Sequence, residues 1–336
     1  MSERDSLGSG ATADWGIVVR APGGPAALEW SELDTPLPGA GEVRIEQRAV
    51  GVNFIDTYYR SGLYAWPSTP LIPGAEAAGL VTDCGPGVTE FAAGDRVAYT
   101  LPVGAYRTRR VVPAARVVKL PAEVAFETAA SVMLKGLTAQ FLVTSCFAVA
   151  AGQCVLVHAA AGGVGLLLGQ WLQLLGATAI GTVGSAEKAA IAKANGYAHV
   201  IDYSAADFVK QVAEITGGAR CDVVYDSVGR DTWRGSLACL KLRGTFVSFG
   251  QSSGAITEFK MLDLAAGGSL YASRPMLFDY IKTQTDLRRR ADDLFARLAA
   301  GQINAHVGQR MALRDAAQAH RALESRRTVG ATVLVP

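Results

Sequence analysis

The run Cys154-Val-Leu-Val-His-Ala-Ala-Ala-Gly-Gly-Val-Gly-Leu-Leu-Leu-Gly169 is an apolar strand pattern that passes through a glycine-rich turn straight into an apolar helix pattern. Gly162, Gly163 and Gly165 let the backbone turn sharply and approach a ligand with no Cβ in the way. A helix starting there presents unpaired N–H groups and the positive end of its dipole. This is how the pyrophosphate site of a dinucleotide cofactor is built. Glycine clusters also serve tight strand-to-helix packing, so the residues downstream decide the reading.

Downstream, strand and helix patterns alternate strictly. Thr178–Gly184, His199–Tyr203, Cys221–Ser227, Gly244–Gly250 and Ser269–Ser273 read as strands. Helices are expected over Ser185–Asn195, Ala205–Thr216 and Asp231–Lys241. Apolar strands joined by helices of this length imply right-handed βαβ crossovers and a parallel sheet covered on both faces. The fold class is therefore α/β, with a doubly wound Rossmann parallel sheet.

The end of the second strand selects the dinucleotide. A chain preferring NAD usually places an acid there for the ribose 2′-OH. Here Gly184-Ser185 leaves room for a 2′-phosphate, the Ser185 hydroxyl can donate to it, and Lys188 one turn later can neutralise it. The expected cofactor is NADPH.

Before this segment the chain changes character. Gly16–Arg20, Glu42–Glu46, Ala78–Asp83, Asp95–Tyr99 and Arg110–Val112 are short β-type runs separated by Gly- and Pro-rich turns, the pattern of a compact antiparallel barrel. The tail adds helical stretches at Leu287–Ala300 and Arg314–Ser325 and a closing strand, Ala331–Val335, able to return to the barrel. The expected division is a barrel domain over residues 15–137 completed by 281–336, a nucleotide-binding domain over 138–280, and a flexible extension over 1–14.

The chain has 336 residues, half of them hydrophobic, and a net charge of +2, enough for two cores and with no basic stripe that demands nucleic acid. The apolar run Val155–Leu175 is broken by His158, glycines and glutamines, and no membrane partner is expected. His158 is read as a satisfied structural histidine. Five cysteines without a Cys-x-x-Cys pair, and no export signal, fit a reducing cytoplasmic compartment.

Asn53-Phe-Ile-Asp-Thr-Tyr58, Pro73-Gly-Ala-Glu-Ala-Ala-Gly79, Leu134-Lys-Gly-Leu-Thr138, the glycine turn, Val224-Tyr-Asp-Ser-Val-Gly229 and Phe249-Gly-Gln-Ser-Ser-Gly254 together resemble the zinc-free NADPH:quinone oxidoreductases of the medium-chain dehydrogenase/reductase superfamily. The resemblance runs from about Trp15 to Pro336. It implies a GroES-like β-barrel catalytic domain, an active cleft between it and the Rossmann domain, and a homodimer joined through the edge of the Rossmann sheet. An exposed sheet edge at the last strand invites such pairing in any case. Where zinc-containing relatives carry a Cys and a His, this chain has Asn53 and Ala75, which supply neither thiolate nor imidazole. Without a Lewis acid, the acceptor must take a hydride readily, as a quinone or conjugated enone does.

The resemblance puts Asn53 and Asp56 beside the nicotinamide ribose and ring, with Tyr58 and Tyr64 lining the acceptor cleft; either tyrosine could instead pack in the core with its hydroxyl capped by the backbone. Lys135 is a charge in the apolar stretch Ala129–Thr138, expensive unless it meets an anion, and a bound cofactor is a plausible partner. Tyr203 is placed to flank the adenine or its phosphate, and Arg326 matches a tail arginine that reaches that phosphate, with a solvated Arg326-Arg327 pair as the alternative. Thr138, Gly162, Gly163, Val164, Ser227, Phe249, Gly250, Gln251 and Ser252 complete the expected cofactor contacts, although Gln251 stands where an Asn is more usual. Enone or alkenal C=C reduction is the closest alternative to quinone reduction. A nucleotide-binding protein acting through RNA or structural contacts is an alternative of another class.

Overall fold

The computed structural model describes residues 13–336, so residues 1–12 of the expected extension lie outside it. Asp14, assigned to that extension, is instead the first residue of a strand, Asp14–Val18, and its carboxylate holds Arg109 at 2.9 Å.

Six parallel strands form one sheet in the order His199–Asp202, Thr178–Val183, Cys154–Val157, Cys221–Asp226, Leu240–Ser248, Tyr271–Ser273. The order reverses between Cys154–Val157 and Cys221–Asp226, and crevices for ligands open at the carboxyl ends of strands at such a switch point. The glycine turn lies at that place. The fourth crossover differs from expectation: its helix covers only Trp233–Ala238, and the next strand begins at Leu240, four residues early. Leu240 is fully buried and pairs with Cys221, so burial in the sheet overrides the helical pattern of Cys239–Lys241. The sixth strand starts late, because Ser269 has a left-handed φ of 55°.

A second sheet runs in the order Val307–Ala312, Ala331–Val335, Glu42–Val52, Glu76–Cys84, Arg96–Thr100, Val117–Lys119, with Arg109–Pro113 also paired to Glu42–Val52. This is the GroES-like barrel sheet. Glu29–Leu33, Val117–Lys119 and Val307–Ala312 carry no strand signal in the sequence; neither the first nor the last contains a buried residue, so neither shows an apolar alternation, and the middle one is three residues long.

The helix Phe126–Phe141 packs against the barrel sheet on one side and the helix Gly163–Leu174 on the other. The expected boundary at residues 137 and 138 therefore falls inside one continuous element. One apolar cluster joins Ala49, Ala78 and Ala98 of the barrel to Val155 and Val157 of the parallel sheet through this helix, so the two sheets share a core. His158 is buried, with Nδ1 2.8 Å from Thr182 Oγ1 and Nε2 3.0 Å from Ser236 Oγ; burial holds its pKa down.

Candidate active site

Two glycines of the turn after Cys154–Val157 leave no room for a side chain. A Cβ on Gly165 would stand 2.3 Å from the Ala159 carbonyl oxygen, and one on Gly163 would stand 2.7 Å from Lys135 Cδ. Gly162 precedes the helix Gly163–Leu174 and caps it with no side chain, so the first N–H groups of that helix are left for a ligand. Two cavities of about 230 and 360 Å³ open on either side of this turn. Both are walled by Phe54, Ala159, Gly162, Ser252, Leu323 and Thr328, so they form one trough bent over the glycines. A dinucleotide fits that shape, since its pyrophosphate would cross the turn with one nucleotide on each side.

In the larger cavity Gly184, Lys188, Tyr203 and Arg326 converge. A Cβ on Gly184 would come within 2.7 Å of the Tyr203 hydroxyl, so an acidic side chain there would have to push the half-exposed Tyr203 ring aside. Lys188 Nζ donates to the Arg326 carbonyl at 2.6 Å, which ties the two cationic residues together. The Arg326 guanidinium is largely exposed and only loosely paired, 3.9 Å from Asp231. Ser185 differs from expectation. Its Oγ accepts the Lys188 backbone N–H at 3.3 Å and caps the helix Ala186–Lys193, and it lines neither cavity.

The smaller cavity brings together Asn53, Tyr58, Tyr64, Lys135 and Thr138 from the barrel side with Gly162, Gly163, Val164, Ser227, Phe249, Gly250 and Ser252 from the other. Asn53 precedes the helix Phe54–Arg60, whose capping box runs through the Asn53 N–H to Asp56 Oδ2 at 2.8 Å. The Tyr58 and Tyr64 rings meet with centroids 5.3 Å apart and planes tilted by 60°. The Tyr58 hydroxyl accepts the Gln251 backbone N–H at 3.1 Å, bridging the two sheets, and burial pushes its pKa up to about 12. Gln251 thus contributes its main chain to Tyr58, and it lines neither cavity.

Lys135 finds its anion within the chain. Its Nζ lies 2.5 Å from Glu76 Oε1. Glu76 is fully buried and also accepts from Asn53 Nδ2 at 2.9 Å and from the Leu134 N–H at 2.6 Å. The bound cofactor is therefore not needed to satisfy the lysine, which corrects the expected pairing. Because Asn53 donates its amide NH₂ to Glu76, its carbonyl oxygen is the group left to face the trough.

Asp56 does not reach the trough. It is fully buried on the far face of its helix, where Oδ2 accepts from Tyr106 Oη at 3.0 Å. Tyr106 Oη lies 3.0 Å from His320 Nε2, and Arg60 Nη1 donates to His320 Nδ1 at 2.9 Å. Arg60 in turn pairs with Glu324 at 2.6 Å. Since Arg60 can only donate, His320 carries its proton on Nε2, donates to Tyr106, and Tyr106 donates to Asp56. Burial and Arg60 push the His320 pKa down to about 3, and burial pushes Asp56 up to about 7.

Sequence reasoning missed Glu76 and Arg274. Glu76 lies in the quoted Pro73–Gly79 motif, and a buried lysine calls for such an acid. Arg274, just past the sixth strand, lines the smaller cavity without any local signal. Among the described residues, no group of three His, Cys, Asp or Glu side chains is arranged to hold a metal ion.

The profile of the alcohol dehydrogenase GroES-like domain matches residues 39–122, and that of the zinc-binding dehydrogenase domain matches residues 163–283. This pair defines the two-domain scaffold of the medium-chain dehydrogenases and reductases. The chain is 49% identical to a quinone oxidoreductase of Pseudomonas aeruginosa, over 95% of this chain and 99% of that one. The solved structure of the Escherichia coli quinone oxidoreductase in complex with NADPH superposes with a TM-score of 0.92 at 45% identity, covering 96% of this chain and all of the other. A 2-haloacrylate reductase of a Burkholderia species is 42% identical over 95% of this chain and 98% of its own. The chain belongs to the quinone oxidoreductase family of the medium-chain dehydrogenase/reductase superfamily.

Proposed function

We propose that the trough carries reducing equivalents from NADPH to a quinone without zinc. The observation that supports this most is its continuity: the chamber at Gly184, Lys188 and Arg326, whose lining also includes Asp231 and Glu324, runs past the glycine turn into a chamber walled by Phe54, Tyr58, Tyr64 and Phe278. NADPH, when bound, supplies the hydride. Lys188 and Arg326 hold the 2′-phosphate, and the N–H groups opening Gly163–Leu174 hold the pyrophosphate. The Asn53 carbonyl and the Lys135 ammonium, both anchored by Glu76, orient the nicotinamide half. The aromatic wall seats a flat acceptor and keeps water away. Asn53 and Ala75 offer no ligand where zinc-containing relatives bind metal, so the acceptor must be electrophilic on its own account.

Reduction of an activated C=C bond is the second reading, favoured by the 42% identity to a 2-haloacrylate reductase. The chain is further proposed to pair with a second copy through the edge strand Tyr271–Ser273, beside which Leu242, Met261, Leu262 and Tyr271 are exposed. Its five cysteines are free thiols, which supports a reducing cytoplasmic location. The helix-containing segment Phe126–Cys146 is long and apolar enough to span a membrane, but it is mostly buried in the core.

Steady-state oxidation of NADPH by chelator-treated protein, with 1,4-benzoquinone and an alkenal as acceptors, tests the reading. The expected result is quinone turnover insensitive to chelation, with NADPH favoured over NADH and that preference cut about tenfold by K188A. Turnover that disappears with a removable metal, or a preference for NADH, would overturn it; no turnover with any acceptor would favour a role in interaction alone.

A further inference from the structure

Among the described residues, only two charged side chains line the chamber between the glycine turn and the aromatic wall, Lys135 and Arg274, and no Asp or Glu does. Lys135 is neutralised by Glu76 at 2.5 Å behind the wall. Arg274 is different. Among the described residues both of its hydrogen-bond partners are neutral, the Tyr64 hydroxyl and the Pro275 carbonyl, each at 3.3 Å. The chamber therefore carries one uncompensated cation, at its solvent-reachable mouth, on the tyrosine side. Arg274 directly follows the edge strand Tyr271–Ser273, at the carboxyl end of the sheet where ligands of such folds bind.

A guanidinium has five fixed donors matched to the two oxygens of a carboxylate. Two of Arg274's nitrogens are lightly engaged by neutral oxygens, which hold the group in place at the rim and leave its remaining donors and its whole charge available. A neutral quinone makes no use of that charge. We propose that Arg274 is a specificity-determining residue that selects acceptors bearing a carboxylate on or next to the electrophilic C=C bond, such as a carboxylated quinone or an α,β-unsaturated carboxylate. The flat electrophilic part sits among Phe54, Tyr58 and Phe278, and the carboxylate meets Arg274 at the mouth. This rests on the reading of the chamber as the acceptor site. The single cation also draws anionic acceptors toward the mouth, an effect that weakens with salt.

Binding and turnover separate the two readings. Isothermal titration of protein loaded with NADP⁺ would compare 2-naphthoate with its neutral partner 2-naphthamide, in wild type, R274Q and R274K. The wild type is expected to bind the carboxylate about tenfold more tightly than the amide. R274Q should weaken carboxylate binding about 10- to 100-fold more than amide binding, the range of a hydrogen bond to a charged group, with R274K between them. In parallel, kcat/KM for 1,4-naphthoquinone and its 2-carboxylate should shift in the same proportion. Equal affinity of the wild type for the two ligands, or an equal loss of both in R274Q, overturns the proposal. Arg274-dependent carboxylate binding with no NADPH oxidation by either quinone would leave this inference standing and sink quinone reduction.

Discussion

Asp56 and Asn53 lie three residues apart and face opposite ways. Asn53 lines the trough, whereas Asp56 closes the capping box from behind and ends a buried chain through Tyr106 and His320 to Arg60. The chain fixes its own proton positions, and it ties the helix Phe54–Arg60 to the tail helix Ala316–Glu324, which ends at the rim of the larger cavity. Its titration has a definite sign. Folded Asp56 keeps its proton up to about pH 7, whereas the unfolded carboxyl ionises near its ordinary value of 3.8. The native state binds more protons between those limits, so this group's contribution is complete below the unfolded pKa and is lost as pH rises through about 7. D56N removes the titration while keeping an oxygen for Asn53 and Tyr106. Urea unfolding at pH 5 and pH 8 should show the stability of D56N relative to wild type rising with pH, by on the order of 2 kcal/mol. A difference that stays constant across that range would mean Asp56 is already ionised at pH 5.

At the scale of elements, the glycine turn and the helix Phe126–Phe141 press on each other. Lys135 lies across Gly163, and Gly165 nests against the carbonyls of Ala159 and Ala160. Those carbonyls are backbone and cannot swing aside, so G165A must displace the turn or the helix start. The expected cost is about 1–3 kcal/mol, seen as a lower urea midpoint, together with much weaker NADPH binding in fluorescence titration. Full stability and unchanged binding in G165A would show that the turn has slack that the structure denies. The turn was legible in the sequence because strand, glycines and helix are contiguous there. The Leu240 start of the fifth strand was not, because the helical pattern of Cys239–Lys241 is local and the pairing of Leu240 with Cys221 is not.

At the scale of the whole molecule, the same edge strand carries two separate features. Its carboxyl end delivers Arg274 to the trough, while its unpaired side, flanked by exposed Leu242 and Leu262, faces outward. Joining two sheets there would bury those leucines and complete the backbone pairing without touching the glycine turn. L242D should convert a dimer to a monomer in light scattering coupled to size exclusion, since Leu242 is 74% exposed and its loss leaves the core intact. A wild-type chain that already elutes as a monomer would sink the proposed interface.

Sequence alone determined the parallel sheet, its order of elements, the glycine turn and the acid-free end of the second strand, because each is written in neighbouring residues as periodicity or as a missing Cβ. Tertiary structure decided which charges meet. Glu76 reaches Lys135 across 59 positions, Arg60 reaches His320 across 260, and Arg274 reaches Tyr64 across 210. Such pairings depend on how two sheets pack around one shared core. That packing turned Lys135 from a residue awaiting its cofactor into one already paired, withdrew Asp56 from the trough, and left Arg274 as a cation without a countercharge among the described residues at its mouth.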